Sequence, residues 1–258
     1  MERKKTSLIY RLLKFFVLLF YPKMEVVGAE NLPDGAAFVV GNHTQLHGPV
    51  SAELYFPGPH YIWCAGQMMH LKEVPGYAFE DFWSFKPRYS RWYYRLASYL
   101  IAPLSVCIFN NAHTIPVYRD RRLISTFRTT INRLQEGNRV IIFPEHNKKY
   151  NNILYEFEDK FIDTARLYYK KTGQELAFVP MYIAPRLKKI VLGKPIRFRA
   201  EAPMEEERRR IRDYLMDEIT ALACSLPLHT VTPYRNIPKK DYPKNLPLEV
   251  YADEKISC

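Results

Sequence analysis

The sequence predicts an α/β fold: a single layered domain with a largely parallel sheet flanked by helices. Three observations carry this. Short apolar runs rich in Val, Ile and Phe alternate with longer amphipathic stretches, the pattern of strands joined by crossover helices. The 258 residues are 47% hydrophobic and 25% charged, which is ordinary globular usage and enough chain for a sizeable core. No internal repeat interrupts the alternation.

Taken in order, Met24–Val27 and Ala37–Val40 read as strands around the turn Asn31-Leu-Pro-Asp-Gly35. Gly48–Phe56 reads as a helix, Tyr61–Ala65 as a strand, and Arg91–Pro103 as a strongly apolar helix. Thr114–Tyr118 is a strand, followed by an amphipathic helix over Arg122–Gln135 that stops at Gly137. Arg139–Phe143 is a strand, and Asp159–Lys171 a helix ending at Gly173. Leu176–Ile183 and Lys189–Phe198 are strands. Met204–Leu222 is a long helix with Pro203 and Glu205–Glu207 at its start, where the helix dipole favours acid.

The N-terminal run Leu8–Tyr21 is followed by Pro22. A spanning helix needs about 20 apolar residues. This run has 14 residues and contains Arg11 and Lys14, which excludes a transmembrane helix. Val27-Gly28-Ala29 is a weak cleavage site for a signal peptide. The run fits a helix lying in a membrane interface with its basic residues at the headgroups, or one packed on the core. The expected organisation is therefore an amphipathic segment over 1–22, an α/β domain over 23–226 and a tail over 227–258. That tail holds five prolines and mixed charge, and reads as extended, packed on the surface or loose.

Composition narrows the partners. The 38 Lys+Arg outnumber 27 Asp+Glu, for a net charge of +11, and residues 55–99 alone hold 14 aromatics. That segment forms either an aromatic wall for a lipid chain or membrane, or a Tyr- and Trp-rich core. A basic, aromatic-rich chain suits an anionic partner. The basic residues are scattered and match no nucleic-acid motif, which argues against nucleic acid. Cys64, Cys107, Cys224 and Cys258 lack paired spacing, which disfavours a disulfide framework or zinc knuckle and fits a reducing compartment.

Four segments carry chemistry. Val39–Pro49 runs from a strand into a sharp turn, so Asn42 and His43 fall at a strand's carboxyl end, where α/β sheets place ligands. His43 there is either a general base or a cap of the turn. Thr114–Arg122 places a basic cluster before a helix, a competent phosphate site or a solvated loop. Gly137–Lys149 takes a buried strand into Phe143-Pro-Glu145, then His146 and two lysines. Phe178–Tyr182 is an apolar strand broken by Pro180 and says nothing in isolation.

Together and in this order, the four resemble the glycerol-phosphate and lysophosphatidate acyltransferase family. The matching stretches are Asn42-His43, Ile115-Pro-Val117 with Arg119, Phe143-Pro-Glu145, and Val179-Pro180, within residues 24–200. The resemblance implies that the motif histidine, His43, removes a proton from an acceptor hydroxyl, which attacks an acyl thioester of coenzyme A or acyl carrier protein. Arg119, Glu145 and Lys148, with Asn42, would hold the phosphorylated glycerolipid acceptor. No metal or other cofactor is implied. The expected setting is phospholipid synthesis or remodelling, by a peripheral protein on the cytoplasmic membrane face.

The chain departs from that pattern at two places. The family's aspartate, which orients the histidine, falls on Gly48, and Gly-Thr-Arg after the third motif is replaced by His146-Asn147-Lys148. Lys148 keeps the charge and loses the bidentate fork. Loss of an orienting carboxylate costs about 10⁴ in rate in a serine-protease triad. One reading is that His47, Glu53 or Glu145 replaces it. In that reading Glu145 is the first choice, His47 shares a helical face with His43, and Gly48→Asp keeps or raises activity. A second reading is a catalytically inactive lipid- or acyl-thioester-binding relative. A third treats His43, His47 and His146 as metal ligands.

Overall fold

The structure is a computed structural model that describes residues 7–246 other than 85 and 150, with residues 147–149 described by backbone alone. The beginning of the 1–22 segment, the end of the proline-rich tail and Cys258 lie outside the described residues. Along the chain the helices and strands are α1 (Leu8–Phe20), β1 (Glu25–Val27), β2 (Ala37–Gly41), α2 (His47–Tyr55), β3 (His60–Ala65), α3 (Val74–Ala78), α4 (Arg91–Asn111), β4 (Thr114–Val117), α5 (Leu123–Gln135), β5 (Arg139–Ile142), β6 (Glu145–Lys149), β7 (Tyr155–Phe157), α6 (Asp163–Thr172), β8 (Ala177–Ala184), β9 (Lys189–Leu192), β10 (Ile196–Arg197) and α7 (Met204–Ser225). The fold is α/β, with mostly parallel strand pairing. It divides into two compact units, one of Met1–Tyr21 with Ile62–Thr129, the other of Pro22–Tyr61 with Thr130–Cys258.

The second unit holds the larger sheet. Its strand order is β1-β9-β8-β2-β5, with β10 also on β8. β2 pairs parallel with both β8 and β5, and β1 pairs parallel with β9. β9 and β10 pair antiparallel with β8. β2 and β8 are buried along their whole length, which is why both read as continuous apolar runs. The Phe38 ring stacks on Phe178 at 5.5 Å and meets Phe161 edge-on at 6.2 Å. Helix α7 packs on β8 through Ile211, Leu215, Ile219 and Ala223, the apolar stripe of a 3.6-residue period.

Several boundaries differ from the sequence reading. Lys189–Phe198 is two strands, because Gly193 and Pro195 interrupt it and Pro195 has no N–H to give a ladder. The polar stretch after Pro144 forms the antiparallel hairpin β6–β7. α6 ends where expected, at Gly173 in the left-handed conformation with φ 70°. The first part of the tail is packed: His229, Val231, Thr232 and Asn245 are buried.

In the first unit, β3 and β4 pair parallel, Ile62 opposite Thr114 and Ala65 opposite Val117. Helix α4 continues past Pro103 to Asn111. Pro103 is exposed, so the carbonyl it leaves unbonded has access to water. Ser98, Ala102 and Ser105 form the buried face of α4, and Ala102 joins a cluster with Met68, Val74 and Ala78. The opposite face exposes Trp92, Tyr93, Leu96, Tyr99, Leu100 and Leu104. The aromatic segment is thus divided: Tyr77 and Phe82 join the core cluster, whereas Tyr89, Trp92, Tyr93 and Tyr99 face out. Helix α1 lies against α4, and the Ser7 N–H donates to Asn111 Oδ1 at 2.8 Å. Tyr10 is the one buried residue of α1, so a core-packed helix does not describe it. Among the described residues, no helix is long and apolar enough to cross a membrane.

Candidate functional site

Strand β2 carries the first motif to the carboxyl edge of the sheet. Asn42 extends the β2–β8 pairing with its side chain. Its Oδ1 accepts from Ile183 N–H at 2.7 Å, and its Nδ2 donates to the Ile183 carbonyl at 3.0 Å. With that amide paired to backbone and 2% exposed, Asn42 is a clasp between strands and not the substrate ligand expected from the motif.

Beyond Asn42 the chain turns sharply. Thr44 and Gln45 have φ of 45° and 55°, the left-handed region that costs non-glycine residues about 1–3 kcal/mol each. The turn closes with His47 N–H donating to Thr44 O at 3.1 Å and Gly48 N–H to His43 O at 3.0 Å. The expectation that His43 and His47 share a helical face fails here, because α2 begins only at His47 and the two intervening left-handed residues break the period. His47 is exposed to solvent at its surface, and partial desolvation of its ring, followed by the charge of Arg186, lowers its pKa.

Gly48 stands where the closed turn is crowded. A Cβ at this position would stand 2.3 Å from the His43 carbonyl oxygen and 3.1 Å from that of Asn42. The backbone leaves no room for a side chain at this position, aspartate included.

Glu145 begins β6 and is 7% exposed. Its Oε1 accepts from the His43 backbone N–H at 2.6 Å, and its Oε2 from Tyr155 N–H at 2.9 Å. Burial pushes its carboxyl up to about 7, against the two N–H donors that favour the charged form. Glu145 therefore ties the end of β2 to the β6–β7 hairpin. The expectation that it sets the His43 tautomer is not met, since its bond is to the backbone and not the ring.

The His43 imidazole is held by aromatic rings. Phe143 lies 5.4 Å away at 69° and Tyr234 5.3 Å away at 70°, both edge-to-face. Its Nδ1 is buried without a hydrogen-bond partner, so no carboxylate, Glu53 included, bonds that nitrogen. Burial draws its pKa down to about 4, opposed by backbone contacts with Gln45 and with its own main chain. The ring is therefore a neutral imidazole at any pH near 7.

The remaining expected residues fall elsewhere. Arg119 belongs to the first unit, just past β4, where its charge opposes the effect of burial on the Asp81 carboxyl. Lys148 lies on β6, and its side chain is outside the described residues. His146 stands 3.6 Å from Glu156 across the hairpin. Val179 and Pro180 sit opposite Val39 and Val40 as core of the sheet. Sequence reasoning missed Tyr234, Tyr155 and Tyr242, which reach the site from the hairpin and the tail. Their only signal is aromatic residues in segments without period.

No protein-family model matches this chain, and no curated protein does. Among solved structures the chain is similar to the crystal structure of the 1-acyl-sn-glycerophosphate (LPA) acyltransferase PlsC from Thermotoga maritima, at 18% identity and a TM-score of 0.48, over 85% of this chain and 81% of that one.

Proposed function

We propose that this protein transfers a fatty acyl group from a thioester to a hydroxyl of a phosphorylated glycerolipid. The observation that carries the reading is the 2.6 Å bond from the His43 N–H to Glu145, by which the first and third motifs, 102 residues apart, meet at strand ends. In this reading neutral His43 takes the acceptor's hydroxyl proton. The resulting alkoxide attacks the thioester carbonyl, the tetrahedral intermediate expels the thiolate, and the imidazolium returns the proton to that sulfur. The donor is acyl-CoA or acyl carrier protein.

The same reading puts the protein on a lipid surface. Leu8, Leu12, Phe15, Leu19 and Phe20 of α1 are exposed, as is the apolar face of α4, and the chain carries net positive charge. Arg88, Arg91 and Arg95 beside that face suit anionic headgroups.

One observation favours a second reading, a binding protein for lipid or acyl thioester that does not transfer. His43 Nδ1, the nitrogen an orienting carboxylate would bond, has no hydrogen-bond partner. The two are separated by assaying acyl transfer from acyl-CoA and acyl carrier protein to lysophosphatidate and glycerol phosphate, with His43→Ala as control.

A further inference from the structure

Residues 229–245, within what the sequence presents as a tail, form a closed loop. His229 N–H donates to Asn245 Oδ1 at 2.7 Å and Asn245 N–H to His229 O at 3.2 Å. Val231 N–H donates to Pro243 O at 2.9 Å. The base of the loop is anchored in the core. The Tyr182 hydroxyl on β8 and His229 Nε2 are 2.9 Å apart, both residues buried, and Asn245 Nδ2 donates to Ala223 O on α7 at 2.8 Å.

The tip of this loop reaches the His43 turn by two routes. Tyr234 sets its ring edge-to-face against the His43 imidazole at 5.3 Å and against Tyr155 at 6.0 Å. Gln45, one of the two left-handed residues, donates from Nε2 to the Tyr242 hydroxyl at 2.9 Å and to the Arg235 carbonyl at 3.5 Å. Phe143 also meets the imidazole edge-to-face, at 5.4 Å.

We infer that Tyr234 is a positioning residue for His43, and that the 229–245 loop, together with Phe143, walls the imidazole with aromatic rings and keeps water from it. This rests on His43 being the reacting base. An aromatic wall fixes the plane of a ring through its quadrupole and its bulk, and it supplies no charge to an imidazolium. The nearby ionisable groups do not supply it either. Glu145 bonds the His43 backbone, and the charge of Arg235 is felt at the Tyr155 hydroxyl. The anchoring at Tyr182 and Asn245 makes the loop a fixed part of the second unit.

The test titrates the His43 imidazole by NMR in the full chain and in Tyr234→Phe and Tyr234→Ala. The phenylalanine variant keeps the wall and leaves the pKa near about 4, whereas the alanine variant admits water and raises it by about one unit or more toward 6.5. An unchanged value in Tyr234→Ala overturns the inference. Should that variant not fold, Gln45→Ala releases the loop tip and is titrated instead, with the same rise expected and an unchanged value equally fatal. The titration needs no acyl donor, so it is independent of whether the chain transfers acyl groups. Where transfer is measured, Tyr234→Ala lowers kcat by about 10- to 100-fold, the scale of a ~1 Å misplacement, and leaves the KM for the thioester in place. A loss confined to KM contradicts a positioning role.

Discussion

The backbone N–H of His43 donates to Glu145 Oε1 at 2.6 Å, while the other carboxylate oxygen accepts from Tyr155 N–H at 2.9 Å. One buried side chain thus holds the end of β2 and the start of β7 at a common point. Glu145→Gln replaces one acceptor oxygen with an NH₂ that faces a backbone donor. The expected cost is about 1–3 kcal/mol of stability, read by chemical denaturation. Wild-type stability would contradict the bonding described. The carboxyl also holds its proton more tightly in the folded chain, so its contribution to stability is full below about 4.5 and is lost as pH rises through about 7.

At Gly48 the turn admits no side chain, because a Cβ would lie 2.3 Å from the His43 carbonyl oxygen. Gly48→Ala is expected to lower stability by about 3 kcal/mol or more, and Gly48→Asp by no less. Thermal melts measure this directly. An aspartate variant as stable as wild type would refute this geometry.

His43 gives stability an acid dependence of opposite sign. The unfolded chain binds the proton near 6.5 and the folded chain only near about 4, so the fold loses stability as pH falls between those values. The full effect is about 3 kcal/mol, from about 1.4 kcal/mol per pKa unit. His43→Gln lacks this term. The stability advantage of wild type over the variant should shrink by that order from pH 6.5 to pH 4; a constant difference would mean that the ring is not sheltered.

On the lipid surface, each large apolar side chain that enters the bilayer interface contributes about 1.5–3 kcal/mol, or roughly tenfold or more in partitioning. Phe15→Glu in α1 and Leu100→Glu in α4 should each weaken binding to vesicles containing anionic lipid by about that factor while circular dichroism stays unchanged. Equal sedimentation of variants and wild type would mean that these faces do not bind a lipid surface.

How far the fold is legible in the sequence depends on burial. β2 and β8, buried on both faces, announce themselves as unbroken apolar runs, and α7 shows its stripe and its acidic start. The hairpin does not: Glu145–Lys149 is polar throughout, and its pairing with Tyr155–Phe157 comes from tertiary contacts. At the site, Asn42, His43 and Glu145 are found by motif, but what each does is not. The left-handed Thr44 and Gln45 carry no glycine to mark them, and the crowding at Gly48 exists only once the turn has closed. Tyr234 is invisible for the same reason, since its contact with His43 spans most of the second unit's sequence and no local period encodes it.

His43 as the base of acyl transfer is tested most directly by following a labelled acyl group from a thioester to lysophosphatidate or glycerol phosphate with wild type and His43→Ala. Turnover by wild type and a loss of about 10³-fold or more in the variant are expected, the scale on which removal of an essential base acts. Equal rates in the two proteins would contradict it, and binding of acyl chains with no transfer by wild type would leave the binding-protein reading in its place.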